Sequence, residues 1–136
     1  MEEYFKINIK NHKLLNKKIL FIEYLPEKFL PNEILLKEMI GFYMTTLASN
    51  KKDKDNKIIV IFDLRNIEKY DKQKVWEGAG ELKKHDDFFV RNIDKAFVII
   101  ENKLVVELLN IILRVLGTNI ETTMVKNINE ALNSLS

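Results

Sequence analysis

The fold is decided by the stretch from Lys57 to Val75, KIIVIFDLRNIEKYDKQKV. It begins with an unbroken apolar run, Ile58 to Phe62, which is typical of a central strand covered on both faces. The run ends at Asp63 and a polar turn, and Asp71 then stands where it can cap a helix. Open α/β sheets place their binding surfaces where the carboxyl end of a strand meets the next helix. This turn and the helix after it are therefore the first candidate for a functional site.

The rest of the chain alternates between strand and helix patterns. Two segments before the central run, 4–9 and 18–25, read as strands close enough to form a hairpin. Amphipathic or capped segments predict helices over about 32–49, 72–84, 103–116 and 127–135, and apolar runs predict strands over 96–100 and 120–125. The order ββαβαβαβα predicts an α/β fold with a mixed, mostly parallel sheet. The first two strands of this sheet form an N-terminal hairpin. We expect the sheet core to contain Ile59, Ile61, Phe97, Val98 and Ile99.

The composition excludes several classes of protein. Of the 136 residues, 46% are hydrophobic and 31% charged, so we expect one globular domain over residues 1–136. The net charge is +2 with both signs interspersed, whereas nucleic-acid-binding proteins usually carry a concentrated basic face. There is no cysteine, which excludes disulfides and thiol chemistry. No run approaches the ~20 apolar residues of a membrane span and no apolar leader is visible, so we expect no transmembrane segment and a cytoplasmic location.

The residues that could carry chemistry have simpler explanations. His12 falls in a predicted turn, and His85 stands beside two aspartates whose side chains point in different directions, which is a poor arrangement for a metal. Asp63 and Asp71 flank one turn, but Asp63 can hold the backbone where the strand ends, and Asp71 can cap the helix. The four glycines form no phosphate-binding loop. We therefore expect no catalysis, no metal and no cofactor.

Two segments leave alternatives open. Gly78-Ala79-Gly80 weakens a helix, which favours either close packing within the domain or a surface for a partner. The helix over 103–116 is apolar on more than one side, and its flanks, Leu104, Ile111 and Val115, predict either a homodimer contact or deeper burial by the terminal helix.

The segment from Asp63 to Val75 resembles the core motif of STAS domains, the sulfate-transporter and anti-sigma-factor-antagonist fold. That motif runs Asp, apolar, Ser, variable residues, apolar, a short variable stretch, Asp-Ser-Ser-Gly and apolar. The spacing of the two aspartates matches, as does the order of elements over nearly the whole chain, and residues 127–135 resemble the family's terminal helix. Tyr70-Asp71 with Trp76, and the segment 82–85, further resemble the anti-sigma-antagonist-like subgroup grouped with Sec14-like lipid-binding folds.

The chain departs from the family at the phosphorylation site. The serine pair of the motif falls on Lys72 and Gln73 and the glycine on Lys74, so this turn offers no serine hydroxyl to a kinase. The resemblance implies a non-catalytic cytoplasmic regulatory module whose partner is a kinase-like or anti-sigma regulator. We expect the partner to bind through Asp71, Lys72, Gln73, Lys74 and Trp76. The alternative is a Sec14-like carrier or sensor of a lipid or small apolar ligand, which would need an enclosed apolar pocket.

Overall fold

The computed structural model describes residues 5–12, 17–24, 33–50, 57–65, 72–101, 103–116 and 120–135. Five strands form one sheet: β1 (Phe5–His12), β2 (Lys17–Tyr24), β3 (Ile58–Asp63), β4 (Ile93–Ile99) and β5 (Glu121–Val125). The helices are α1 (Glu33–Asn50), α2 (Lys72–Lys83), α3 (Asp86–Asn92), α4 (Lys103–Leu116) and α5 (Ile128–Ser134).

The sheet has the predicted mixed topology. Its strands lie in the order β1-β2-β3-β4-β5, with β1 antiparallel to β2 and the three other pairs parallel. Sequential neighbours in a parallel sheet need a crossover for each pair, and α1, α2 with α3, and α4 supply the three crossovers. The predicted α/β architecture, opened by an N-terminal hairpin, is therefore confirmed.

The central strands are covered on both faces. On one face, Ile58 and Val60 pack with side chains of α1 and α3, and Val98 packs with α4. On the other, Ile59, Ile61, Phe97 and Ile99 pack with Ala131 and Leu135 at the C-terminal end of the described chain. All five residues predicted for the sheet core are at most 3% exposed. Burial on both sides explains why these strands are continuous apolar runs rather than alternating ones.

The structure contains one helix that the sequence patterns did not predict. Residues 86–92 form α3 rather than a solvated end of α2, so the order of elements is ββαβααβαβα. Phe89 is buried against α1 and the sheet, and the Asn92 amide donates to the carbonyl oxygen of Phe88 at 2.7 Å. Seven residues make fewer than two full turns, which is too short for a helical period to emerge. Tertiary packing of Phe89 therefore defines this helix more than local preference does.

Of the three α4 residues for which a homodimer contact or deeper burial was expected, the structure describes the side chain of Ile111 alone, and it is buried. Ile111 is only 9% exposed and packs with Leu64, Val98 and Leu109. The residues that cover Ile111 come from β4, from the residue after β3 and from α4 itself, and none of them belongs to the terminal helix α5. The side chains of Leu104 and Val115 lie outside the described part of the chain. Among the α4 side chains that the structure describes, the exposed ones are polar: Lys103, Glu107, Asn110 and Arg114.

The start of α5 is fixed by a reciprocal cap. The Asn127 side-chain oxygen accepts a hydrogen bond from the Glu130 backbone N–H at 2.8 Å, as the sequence predicts. The Glu130 carboxylate accepts in turn from the backbone N–H of Lys126 at 3.2 Å, one residue earlier than in a standard capping box. This cap holds α5 in place directly after β5.

Among the residues that the structure describes, no helix is both long and apolar enough to cross a membrane.

Candidate functional site at the end of β3 and on α2

An aspartate–arginine clip fixes the chain where it leaves β3. The Asp63 carboxylate accepts three hydrogen bonds from Arg65: Oδ1 from the backbone N–H at 3.1 Å and from Nε at 2.9 Å, and Oδ2 from Nη2 at 2.8 Å. The backbone N–H of Leu64, between them, donates to the carbonyl oxygen of Ile99 on β4 at 3.1 Å. The end of β3 is thus anchored to β4, and the clip fixes the backbone from Asp63 to Arg65. The predicted role of Asp63 in holding this backbone is borne out by these bonds.

The clip also controls the charge of Asp63. Partial burial acts to raise the pKa of the carboxyl group, but the side-chain and backbone hydrogen bonds from Arg65 outweigh it, and the pKa lies below its ordinary value. The hydrogen bond to Asp63 raises the pKa of Arg65 despite some desolvation, and the negative charges of Glu101 and Glu23 add to that effect. Asp63 is therefore held as a carboxylate that is already occupied by a cation.

The carboxyl edge of the sheet carries more acidic residues around the clip. Glu23 on β2 is the register partner of Asp63, and Asp63 is the register partner of Ile99 on β4. Glu101 follows Ile99 by two residues and is exposed. Three carboxylates thus lie at or just beyond the carboxyl ends of three adjacent strands, and Arg65 is under the influence of all three. In the described part of the chain no three His, Asp or Glu side chains are placed to hold a metal ion together.

The outer face of α2 presents the only tryptophan of the chain. Trp76 is 44% exposed, although a side chain of this size normally buries most of its surface. Gln73 and Glu77, one turn before it and next to it, are exposed, and their side chains approach each other at 3.5 Å. The opposite face of the helix is buried at Gly78 and Ala79, and α2 packs against both α1 and α4. Because Gly78 and Ala79 lie on the side of α2 that faces the core, Trp76 lies on the side that faces solvent.

The structure describes the predicted partner-binding residues to different extents. Gln73 and Trp76 both lie on the exposed side of α2. Lys72 and Lys74 belong to the first turn of the same helix, whose side chains at these two positions are outside the described set. Asp71, with its capping role, falls outside the described residues. Partner binding through these five residues remains a prediction. Arg65 was missed, because a pair two residues apart in a turn follows no periodic pattern.

The glycines of this region have two different explanations. Gly78 is buried, which agrees with close packing inside the domain. Gly80 is half-buried, and a Cβ atom built on it would meet no atom within 4 Å. The same holds for Gly41, which is exposed on α1. Each glycine costs a helix about 1 kcal/mol relative to alanine, and for Gly41 and Gly80 no contact among the described residues requires that cost.

The C-terminal end of α2 is basic on its exposed side. Lys83 and Lys84 are exposed, and the Lys84 ammonium group donates to Oε1 of Glu81 at 2.7 Å. That hydrogen bond is the main reason that the pKa of Glu81 lies below its ordinary value. A basic end suits the negative end of the helix dipole. His85 then serves as the N-cap residue of α3 without a side-chain capping bond.

One solved structure matches the chain over nearly its whole length. It is the crystal structure of an uncharacterized protein of the DUF3478 family, with a SpoIIAA-like fold, from Shewanella loihica PV-4. The match has a TM-score of 0.65 and 14% sequence identity, and it covers 98% of this chain and 94% of that chain. No family model matches the sequence, and no curated protein gives a significant match. At this identity the likeness shows the fold alone, and the SpoIIAA-like fold is the one that the resemblance to STAS domains predicted.

Proposed function

We propose that this chain is a non-catalytic cytoplasmic regulatory module that binds a protein partner through the turn before α2 and the outer face of that helix. The observation that carries the proposal is the exposure of Trp76, 44% on a helix whose other face is buried. Tryptophan is among the residues most enriched at the centres of protein interfaces, because it buries a large area at low entropic cost. An exposed tryptophan on a rigid helix therefore favours an interaction surface over a solvated one.

The position of Trp76 in the fold gives independent support. Helix α2 follows β3, and the carboxyl end of a parallel strand is where α/β folds place their binding surfaces. The Asp63–Arg65 clip holds the chain in one geometry where it leaves β3, and a site fixed before binding loses less freedom when a partner arrives. The resemblance to anti-sigma-factor antagonists points to a kinase-like or anti-sigma regulator as that partner.

Absence of catalysis belongs to the same proposal. A general acid or base needs a group that exchanges protons near neutral pH. Asp63 is engaged by Arg65 and its pKa is displaced downwards, away from that range. A carboxylate in this state serves to hold the chain rather than to transfer a proton.

The proposal is tested by capturing partners with the full chain and with two matched variants. Trp76→Ala removes the proposed anchor, and Met124→Ala removes an equally exposed apolar side chain, 49% exposed on β5, as the control. We expect the captured protein, once purified, to bind the parent chain and Met124→Ala alike and to bind Trp76→Ala at least about tenfold more weakly. Equal binding to all three proteins would place the interface elsewhere.

Fluorescence provides a direct readout of the same event. Trp76 is the only tryptophan, so emission excited selectively at tryptophan, away from the four tyrosines, reports on that side chain alone when a tryptophan-free fragment of the partner is used. Burial at an interface should shift the emission to the blue. Native mass spectrometry of the purified chain tests the alternative function. A carrier for a lipid or small apolar ligand would retain that ligand as added mass, and such a mass would favour the carrier over the partner-binding module.

A further inference from the structure

No contact among the described residues explains the glycine at position 80 of α2. It lies in the interior of the helix, where its carbonyl oxygen accepts from the backbone N–H of Lys84 at 3.3 Å, so the backbone there is helical. A side chain would have room, since a Cβ atom would meet nothing within 4 Å. Glycine weakens a helix by leaving the unfolded chain more freedom. An unneeded glycine on a partly exposed surface is explained when another molecule approaches the backbone closely.

The surroundings of Gly80 form one continuous strip on α2. Residues three and four apart are neighbours on a helix surface, so Trp76 and the exposed Glu77 lie one turn before Gly80. Lys83 and Lys84 lie one turn after it. Gln73 extends the strip by a further turn. The strip thus runs from a polar start, past an aromatic side chain and a gap without a side chain, to a basic end.

The basic end of this strip favours a partner that is acidic at that end. Among the charged side chains that the structure describes on the strip, Lys83 and Lys84 stand at the C-terminal end, where Glu81 pairs with Lys84. The exposed Glu77 stands beside Trp76, away from that end. Lys83 is exposed at the basic end. Charged groups that face each other across an interface usually have opposite signs. Like charges in contact cost several kcal/mol and so disfavour the wrong partner, and opposite charges raise the rate of association.

We propose that the partner presents an amphipathic α-helix with an acidic flank, and that this helix lies along α2 over Gly80. Its apolar stripe would cover Trp76, and its carboxylates would lie beside Lys83 and Lys84. A helix is the favoured occupant because the distance between two packed helices is set by the side chains at their contact, and a glycine there permits the closest approach. Recognition of amphipathic helices by apolar grooves is a common mode of peptide binding. This inference rests on the proposed function and extends its surface by Gly80, Lys83 and Lys84.

The chain supplies a matched pair of glycines for the test. Gly80→Ala and Gly41→Ala each add a methyl group to open space within a helix, so each should raise the Tm by about 3 to 5 °C. Only Gly80→Ala should weaken binding of the captured partner, by about tenfold, and the bulkier Gly80→Gln should reduce it further while Gly41→Gln does not. Stability and binding thus change in opposite directions at one glycine and not at the other.

The outcomes distinguish the proposed helix over Gly80 from the proposed function, partner binding through Trp76. A partner that loses affinity for Trp76→Ala but binds Gly80→Gln as well as the parent chain would overturn the helix over Gly80 and leave the proposed function standing. A partner that is indifferent to Trp76→Ala would remove the proposed function as well. A parallel loss with Gly80→Gln and Gly41→Gln would also contradict the inference, because it would trace the loss to the helices in general.

The acidic character is tested with a defined probe. A displayed library of tryptophan-free helical peptides of about 18 residues, roughly five turns, would carry a fixed leucine stripe and flanking positions randomised among Glu, Gln and Lys. Selection on the full chain should enrich Glu, and the selected peptides should shift Trp76 emission to the blue and lose affinity for Lys83→Glu. Enrichment of Lys, or of none of the three, would refute the acidic partner.

Discussion

Breaking the Asp63–Arg65 clip should cost the protein a measurable part of its stability. Two of the three hydrogen bonds come from the guanidinium group, so Arg65→Ala removes both and leaves the backbone bond. Charge-assisted hydrogen bonds contribute about 1.5–3 kcal/mol when they are well buried, and exposed ion pairs contribute about 0.2–1 kcal/mol. The side chains of Arg65 and Asp63 are 33% and 14% exposed, between these limits. We therefore expect a loss of about 1–1.5 kcal/mol.

The loss can be expressed as a shift in melting temperature. A chain of 136 residues has an unfolding entropy of about 0.29 kcal/mol per K near roughly 60 °C. A loss of about 1–1.5 kcal/mol therefore lowers the Tm by about 3–5 °C. A double-mutant cycle with Asp63→Asn, Arg65→Ala and the double variant, followed by urea unfolding, isolates the coupling of the two side chains. A coupling below about 0.3 kcal/mol would refute the clip as a stabilising element.

The same pair predicts a pH dependence of known sign. The folded pKa of Asp63 is lower than its ordinary value of 3.8, so its contribution is present in full above that value and is lost as the pH falls through the folded pKa. The difference in unfolding free energy between the parent chain and Asp63→Asn should therefore be constant from about pH 7 to 5 and shrink below about pH 4. A difference that instead grew on acidification would mean that the folded protein prefers the protonated acid.

Three further predictions concern the core, the terminal helix and phosphorylation. Ile61→Ala should cost about 3–5 kcal/mol and lower the Tm by about 10–17 °C, because the side chain is fully enclosed between two packed faces, and a loss under about 1 kcal/mol in urea unfolding would contradict this burial. Asn127→Ala should cost about 0.5–2 kcal/mol while Asn127→Ser is tolerated, since serine can also accept the Glu130 N–H, and equal losses by calorimetry would exclude the cap. Incubation with a serine kinase of the partner-switching type should add no phosphate to the segment from Tyr70 to Trp76 by intact mass and peptide mapping, because only Tyr70 has a hydroxyl there. A phosphate on Tyr70 that changed partner binding would instead make that residue the switch.

The fold could be predicted from the sequence where burial leaves a strong pattern. Two uninterrupted apolar runs mark strands whose two faces are both covered: Ile58 to Phe62 and Ala96 to Ile100. Such runs can be recognised from the sequence without a structure. Helix α3 was not visible, because its seven residues are placed by Phe89 meeting α1 and the sheet. Long-range packing of this kind leaves no periodic signal in a short segment.

The candidate site was predictable in its location and less so in its details. The spacing from Asp63 to Trp76 located the connection after β3, and Trp76 is exposed on α2. Whether the flank of α4 at Ile111 is exposed or buried stayed open at the level of the sequence, because a sequence shows which side of a helix is apolar but not which neighbour covers it. The distinction between Gly78 and Gly80 also required coordinates, since only the surroundings show which glycine is packed.

The two faces of the sheet differ in when they can be completed during synthesis. The face that packs with α1, α3 and α4 acquires each helix as the chain grows, because those helices lie between the strands in the sequence. The opposite face receives Ala131 of α5 and its C-cap residue Leu135, which come after the five described strands in the sequence. During synthesis on the ribosome, this apolar cluster therefore cannot be completed until α5 has emerged. It contains Ile59, Ile61 and Ile99. Nascent chains stalled before Ile128 should accordingly be substrates for chaperones that bind apolar strands, whereas chains extended past Leu135 and clear of the exit tunnel should not.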